Sequence, residues 1–299
     1  MSSHVEAELA DQPNCWRRAA SLAAAAHGLP EPGARVAVVG CGTSWFMAQA
    51  YAGLREARGL GHTDAFAASE MPAGRDYDRV LALTRSGTTT EVLDLLSAVN
   101  APTTVITGVG EAPAAALADT AIVLDFAHER SVVQTRFATT TLALLRAHLG
   151  DDLDPVIAQG GYAVAAPLPA GAVNRSQFTF LGTGWTIGLA NEAALKMREA
   201  ALAWSESYPA MDYRHGPIAI TDEQSVVWML GAAPEGLAEQ VRATGGLWIA
   251  QDLDPLVSLI YAQRLALALA AVRSLDPDVP RHLTSSVILR SFPVPDTHY

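Results

Sequence analysis

Short apolar runs alternate with amphipathic stretches along most of this chain. The run at residues 35–39, RVAVV, leads into GCGTSW and then a helical stretch over residues 45–58. Further runs follow at DAFAAS, RVLALT, TTVIT and AIVLDF, separated by helical periodicity at residues 91–99, 113–118 and 136–149. Strands that are apolar throughout, without alternation, are buried on both sides, so the pattern predicts an α/β fold with a parallel sheet covered by helices on each face. Ahead of the first strand, an Ala/Leu-rich segment at 6–26 contains Pro13 and is stopped by GLPEPG, which predicts one or two N-terminal helices.

Residues 155–174 carry Gly160, Gly161, Pro167, Pro169 and Gly171 and read as a linker. The pattern then restarts with QFTFLGTGWTIGLANEAAL. Gly40-Cys41-Gly42 matches Gly182-Thr183-Gly184 at an offset of 142 residues, Ser69-Glu70 matches Ser205-Glu206 at 136, and RVLALT matches SVVWML. This predicts a drifting duplication into two lobes: residues 1–152, comprising the N-terminal helices and the first lobe, and residues 153–299, a second and shorter lobe. Only GLWIAQ separates SVVWML from a long helix over 256–275 in that second half.

The length of 299 residues, 50% of them hydrophobic, suffices for two such cores. A formal net charge of −11 argues against nucleic acid, whose binding needs a basic face, and against anionic membrane surfaces. It also means that a phosphorylated ligand must be held locally, by hydroxyls and helix-start N–H groups. Cys15 and Cys41 are too few for a disulfide framework and lack metal-ligand spacing. The first twenty residues contain no apolar core of the secretory kind, so a cytoplasmic location is expected.

Two turns, GCGTSW and LTRSGTTTE, each follow a strand and open a helix, the place where doubly wound sheets bind ligands. They crowd Thr43, Ser44, Thr84, Ser86, Thr88, Thr89 and Thr90 together, with Gly87 allowing close backbone approach. Helix capping would explain one hydroxyl per helix; a phosphate cradle explains the set. A dinucleotide fingerprint does not fit, because Trp45 stands where a third glycine belongs and Glu70 lies 30 residues after Gly40. In NEAALKMREAALAWSESYPAMDYRHGP, Glu192, Lys196 and Glu199 fall within about 60° on a helix, at the border of the apolar stripe of Leu189, Ala193, Met197 and Ala200. Spacing alone equally allows a solvated Glu-Lys-Glu ladder, and a single His215 before Gly-Pro is an ordinary loop residue.

Taken in order, GCGTS, SGTTTE, ERSVVQTR, NEAALKMREA, ESYPAMDYRHGPIAI and VPRHLTSSVIL resemble the double sugar-isomerase-domain (SIS) family. This family includes the isomerase half of glucosamine-6-phosphate synthase, ketose/aldose isomerases, sugar-phosphate deaminases and fructosamine deglycases. The resemblance runs from about Arg35 to Leu289. It implies two flavodoxin-like lobes, a homodimer with shared active sites, and a sugar-phosphate site of Thr43, Ser44, Thr84, Arg85, Ser86 and Thr89, with Val132 and Gln134 near the sugar. It further implies Glu199 as the proton-transfer base, Lys196 as its assistant, and His215, reaching in from a partner subunit, as the group that helps open the sugar ring. No cofactor and no metal are implied.

Several residues depart from the family pattern. The phosphate turn reads Thr84-Arg85-Ser86-Gly87-Thr88-Thr89 where Ser-Gln-Ser-Gly-Glu-Thr is usual, Gln134 replaces a serine, and Ser285 stands where the synthase has an imine-forming lysine. Lys196 is the sole lysine of the chain. The expected activity is isomerisation or deamination of a sugar phosphate, an amino-sugar 6-phosphate, by carboxylate-mediated proton transfer between C1 and C2. A non-catalytic sugar-phosphate-binding regulator is the alternative.

Overall fold

The computed structural model describes residues 3–289. Helices α1 (His4–Ala10) and α2 (Gln12–Ala23) precede a five-stranded sheet of β1 (Val36–Gly40), β2 (Thr63–Ala67), β3 (Arg79–Thr84), β4 (Thr103–Thr107) and β5 (Thr120–Val123). Interleaved with these strands are α3 (Thr43–Ala57), α4 (Thr90–Ala98) and α5 (Pro113–Leu117), and α6 (Arg136–His148) follows. After α7 (Asp154–Ala163) comes a four-stranded sheet of β6 (Gln177–Gly182), β7 (Trp204–Pro209), β8 (Ser225–Leu230) and β9 (Leu247–Ala250), carrying α8 (Thr186–Ala201), α9 (Leu237–Ala243) and α10 (Pro255–Val272). Every strand pair is parallel, and the orders are β2-β1-β3-β4-β5 and β7-β6-β8-β9.

Alternate residues of the apolar strands enter different cores, as the pleat requires. Val36, Val38, Leu81, Leu83 and Ile106 of the first sheet join Phe178, Phe180, Val226 and Trp228 of the second in one central core, shared with α2, α3, α6, α7, α8 and α10. Ala37, Val39, Val80, Ala82 and Val105 instead pack outward under α4 and α5, and Leu181, Val227 and Met229 pack under α9 and Tyr213. Helix α10 has the length and apolarity of a membrane span, but 61% of that window is buried inside the protein, as expected of a core helix.

The duplication is visible in detail. Gly40 pairs with Ala67, and Gly182 with Pro209, so that both pairs are related by 142 residues. A Cβ on Gly40 would lie 2.7 Å from the Ser44 backbone, and one on Gly182 would strike Thr186 in the same way. Gly42 and Gly184 follow at φ 54° and 57°, a region costly for other residues. One marker of the repeat was misaligned. The strand register sets Ser205 and Glu206 inside β7, whereas Ser69 and Glu70 lie beyond the end of β2, so that pair is not equivalent.

The expected linker is also corrected, since α7, Asp154–Ala163, takes up its first nine residues. Gly160 sits against Trp16 of α2, where a Cβ would come within 2.8 Å of the indole ring. Here the glycine serves close helix approach and not chain flexibility. The lobes are joined by α3 and α8, which cross antiparallel. Gly53 lies against Trp185, Gly188 against Phe46 and Ala50, and the Asn191 amide donates to Gln49 at 2.7 Å.

Candidate active site

The last turn of α8 meets the first turn of α3 at the carboxyl end of the first sheet. Lys196 Nζ donates to Thr43 Oγ1 at 3.1 Å, forms a hydrogen-bonded ion pair with Glu199, and lies 3.4 Å from Glu192. The predicted stripe is therefore no solvated ladder. Side-chain exposure is 0% for Glu192, 1% for Lys196 and 19% for Glu199, so Glu199 alone of the three is open to a ligand.

Burial fixes the electrostatics. It pushes the Glu192 carboxyl up to about 7, against the opposing pull of Lys196. Burial pulls the Lys196 ammonium down, but Glu192 and Glu199 outweigh it and hold the ammonium above its ordinary value.

The second cluster is the turn after β3. Gly87, at φ 65°, has no room for a Cβ beside Ala112. The turn is knit by its own hydroxyls: Gly87 N–H donates to Thr84 Oγ1 at 3.2 Å, and Thr88 N–H to Ser86 Oγ at 3.2 Å. Neither Thr43 nor Thr89 caps its helix by a side-chain bond. Ser44, Thr84, Arg85, Ser86, Thr89 and Gln134 instead line a cavity of ≈ 30 Å³, together with Cys41 and Ser285. Gln134 Oε1 is buried there without a hydrogen-bond partner among the described residues, which leaves it able to accept from a ligand.

Arg85 does not offer its charge to this cavity in the way its sequence position suggested. The guanidinium is turned onto the carbonyls of Ser131 (2.8 Å), Val132 (3.3 Å) and Ser285 (2.6 Å). Val132 does not line the cavity and touches this cluster only through its carbonyl. Beside it, Glu129 is wholly buried; its Oε1 accepts from the N–H groups of Thr135 (2.6 Å) and Arg136 (2.8 Å), and burial raises its proton affinity. Glu8 of α1 accepts from Arg130 N–H at 2.6 Å and from the Ser131 hydroxyl.

Sequence reasoning missed these two carboxylates. Glu129 opens the ERSVVQTR motif and was within reach of it. Glu8, 122 residues before its partner Arg130, carries no local signal.

His215 is not brought to this cluster within the chain. It is exposed after β7, at the carboxyl end of the second sheet, where α8 also begins. The length of α8 carries Glu199 roughly 20 Å from that end, at about 1.5 Å per residue.

The second lobe has no equivalent cradle. Counting from Leu230, the partner of Gly182, Gly231-Ala232-Ala233-Pro234-Glu235-Gly236 occupies the turn before α9 without a single hydroxyl.

No family model matches the chain. The aminotransferase called glutamine–fructose-6-phosphate aminotransferase (isomerizing) from Bacteroides thetaiotaomicron is 32% identical over 140 residues, covering 37% of this chain and 23% of that protein. The enzyme of the same name from Methanosarcina acetivorans is 26% identical over 313 residues, 85% of this chain and 51% of its own. The crystal structure of glucosamine-6-phosphate deaminase from Thermotoga maritima superposes with a TM-score of 0.80 at 26% identity, over 96% of this chain and 100% of that one. The chain is similar to these sugar-phosphate enzymes over most of its length, at 26% identity to each of the last two. It spans between a quarter and a half of the length of the aminotransferases it matches, and the whole of the deaminase. The hydroxyl-lined turn lies in the first lobe and the Glu-Lys-Glu helix in the second. No cluster of three or more His, Cys, Asp or Glu suited to a metal ion occurs among the described residues.

Proposed function

We propose that the chain is an enzyme acting on an amino-sugar 6-phosphate, as an aldose/ketose isomerase or a deaminase. The observation that carries this reading is the junction of α3 and α8: Thr43 holds Lys196 beside Glu199, and the next residue, Ser44, lines the cradle with Ser86 and Thr89. A phosphate at the cradle would leave the other end of a six-carbon sugar toward Glu199. There the carboxylate takes a proton from one carbon and returns it to its neighbour through an enediol or enolamine. Lys196 keeps Glu199 oriented, and Gln134 with the Val132 backbone contacts the sugar hydroxyls. Isomerisation and amine loss share this step, and the names of the deaminase and of the isomerizing aminotransferases support both outcomes.

The site would be completed in a homodimer, with the partner's His215 entering from the second lobe of the other copy. The distance of His215 from Glu199 within one chain supports this, as does the exposure of Met211 and Ile220 on the same loop, at 55% and 53%. Two unpaired cysteines fit a cytoplasmic setting.

The test is incubation with a panel of hexose and hexosamine 6-phosphates, following both isomer formation and ammonia release. Turnover of at least one supports an enzyme. Tight binding without either product would make the protein a sugar-phosphate-binding regulator instead.

A further inference from the structure

Residues 128–135, between the 3₁₀ turn at Asp125–Ala127 and the start of α6, form neither helix nor strand, so their backbone groups have no ladder to bond to. Charged side chains serve them instead. At the start of the segment Glu8 of α1 accepts from Arg130 N–H at 2.6 Å, from Ser131 N–H at 3.3 Å and from the Ser131 hydroxyl. At its end Glu129 accepts from Thr135 N–H, from Thr135 Oγ1 at 3.0 Å and from Arg136 N–H, while Asp11, the residue after α1, accepts from Arg136 Nη1 at 3.0 Å. From the opposite side Arg85 donates to the carbonyls of Ser131 and Val132. Ser131 is thus held by a carboxylate on its N–H and a guanidinium on its carbonyl.

Packing alone does not account for Glu8. Helix α1 is fixed without it, by the buried Val5 and Leu9, by the capping box of Ser3 and Glu6, and by Asp278, which accepts from the N–H groups of His4 (2.6 Å) and Val5 (2.9 Å). A carboxylate that is 5% exposed is costly to desolvate, and an apolar side chain would fill the same place at less cost unless the acceptor itself is needed. The need lies in what the segment carries. Gln134 lines the cavity beside Ser44, Ser86 and Thr89, with its Oε1 unpartnered among the described residues.

We propose that Glu8 is a positioning residue for the sugar end of the site: from a helix ahead of the first sheet it fixes the start of segment 130–136, as Glu129 and Asp11 fix its end, so that Gln134 meets the hydroxyls of a sugar whose phosphate lies at the turn after β3. The proposal rests on the sugar-phosphate reading above. It separates sugar selection from anion binding. The hydroxyls of the turn after β3 are set by bonds within that turn, whereas Gln134 is set from α1. A loosened segment spreads Gln134 over several positions, and only a ligand that touches Gln134 loses affinity by having to order it.

The test is calorimetric titration of the full chain with glucosamine 6-phosphate and, separately, with inorganic phosphate. Wild type should prefer the sugar phosphate. Glu8→Gln keeps the shape and removes the charge; it should weaken glucosamine 6-phosphate about tenfold and inorganic phosphate less than about twofold. Leu9→Ala opens the core one residue away, and should lower the melting temperature while leaving the ratio of the two affinities unchanged. Ser131→Ala lacks only the hydroxyl that donates to Glu8; it should move the ratio in the same direction about threefold, and it replaces Glu8→Gln if that variant does not fold. With Gln134→Ala already in place, Glu8→Gln should cost less than about twofold, because the group it positions is gone. An unchanged ratio in Glu8→Gln or its replacement, an equal change in Leu9→Ala, or a full loss on the Gln134→Ala background would make Glu8 a structural anchor only and overturn the proposal. Wild type that binds inorganic phosphate as tightly as glucosamine 6-phosphate removes the amino-sugar reading, and the positioning role with it.

Discussion

Lys196 Nζ reaches across from near the C-terminal end of α8 to Thr43 Oγ1 in the first turn of α3, at 3.1 Å, and so fastens the Glu-Lys-Glu helix of one lobe to the hydroxyl-lined helix start of the other. Because Lys196 is 1% exposed and flanked by two carboxylates, it serves to hold charge in place.

Glu199 and Glu192 should separate cleanly in kinetics. With its 19% exposure Glu199 can touch a sugar, whereas Glu192 at 0% cannot. Glu199→Gln should lower turnover by about 10²- to 10⁴-fold while sugar-phosphate binding persists, and Glu192→Gln should cost much less. In heavy water the wild type should place deuterium on the carbon that receives the proton. Normal turnover by Glu199→Gln with a dead Glu192→Gln would exchange the two roles.

The buried Glu192 also predicts a pH signature. Its carboxyl is raised by burial from 4.5 to about 7, so between those values the folded state binds more protons than the unfolded state. Stability contributed by this group is complete below about 4.5 and is lost as pH rises through about 7. Relative to Glu192→Gln, the wild type should therefore grow less stable over that window, with a constant difference above it. Urea denaturation of both proteins at a series of pH values measures the slope; a flat difference would mean that Glu192 ionises alike in both states.

For the dimer, complementation is decisive. Mixed subunits carrying Ser86→Ala and His215→Ala, each inactive alone, should regain one working site per heterodimer. Heterodimers verified by mass that stay inactive would remove His215 from the neighbouring site.

The two glycines of α7 should respond oppositely. Gly160→Val drives a side chain into the Trp16 ring and should destabilise by about 1–3 kcal/mol. Gly161→Ala points into open space and should stabilise by up to about 1 kcal/mol through helix propensity. Melting temperatures of the pair check this, and equal shifts would mean that α7 does not rest on α2.

The sheets were legible because doubly buried strands such as RVAVV and SVVWML leave continuous apolar runs, and the anion turn because five hydroxyl residues in seven exceed what capping needs. The Glu-Lys-Glu stripe was legible as a spacing only. Its burial depends on α3 packing against it, which no local pattern records. Helix α7 was hidden because Gly160 and Gly161 signal a break unless Trp16, far away in sequence, is known to lie against one of them. The Glu8 carboxylate escaped for the same reason, its partner lying more than a hundred residues distant.

The bare turn Gly231-Ala232-Ala233-Pro234 has an evolutionary consequence. If both halves descend from one ancestral lobe, each has kept a different part, the first its hydroxyl-lined turn and the second its Glu-Lys-Glu helix. Under the proposed function neither half would then work without the other, and selection would treat the duplicated gene as a single indivisible unit. The emptied turn of the second half is released from that constraint and is where new sequence can accumulate at least cost.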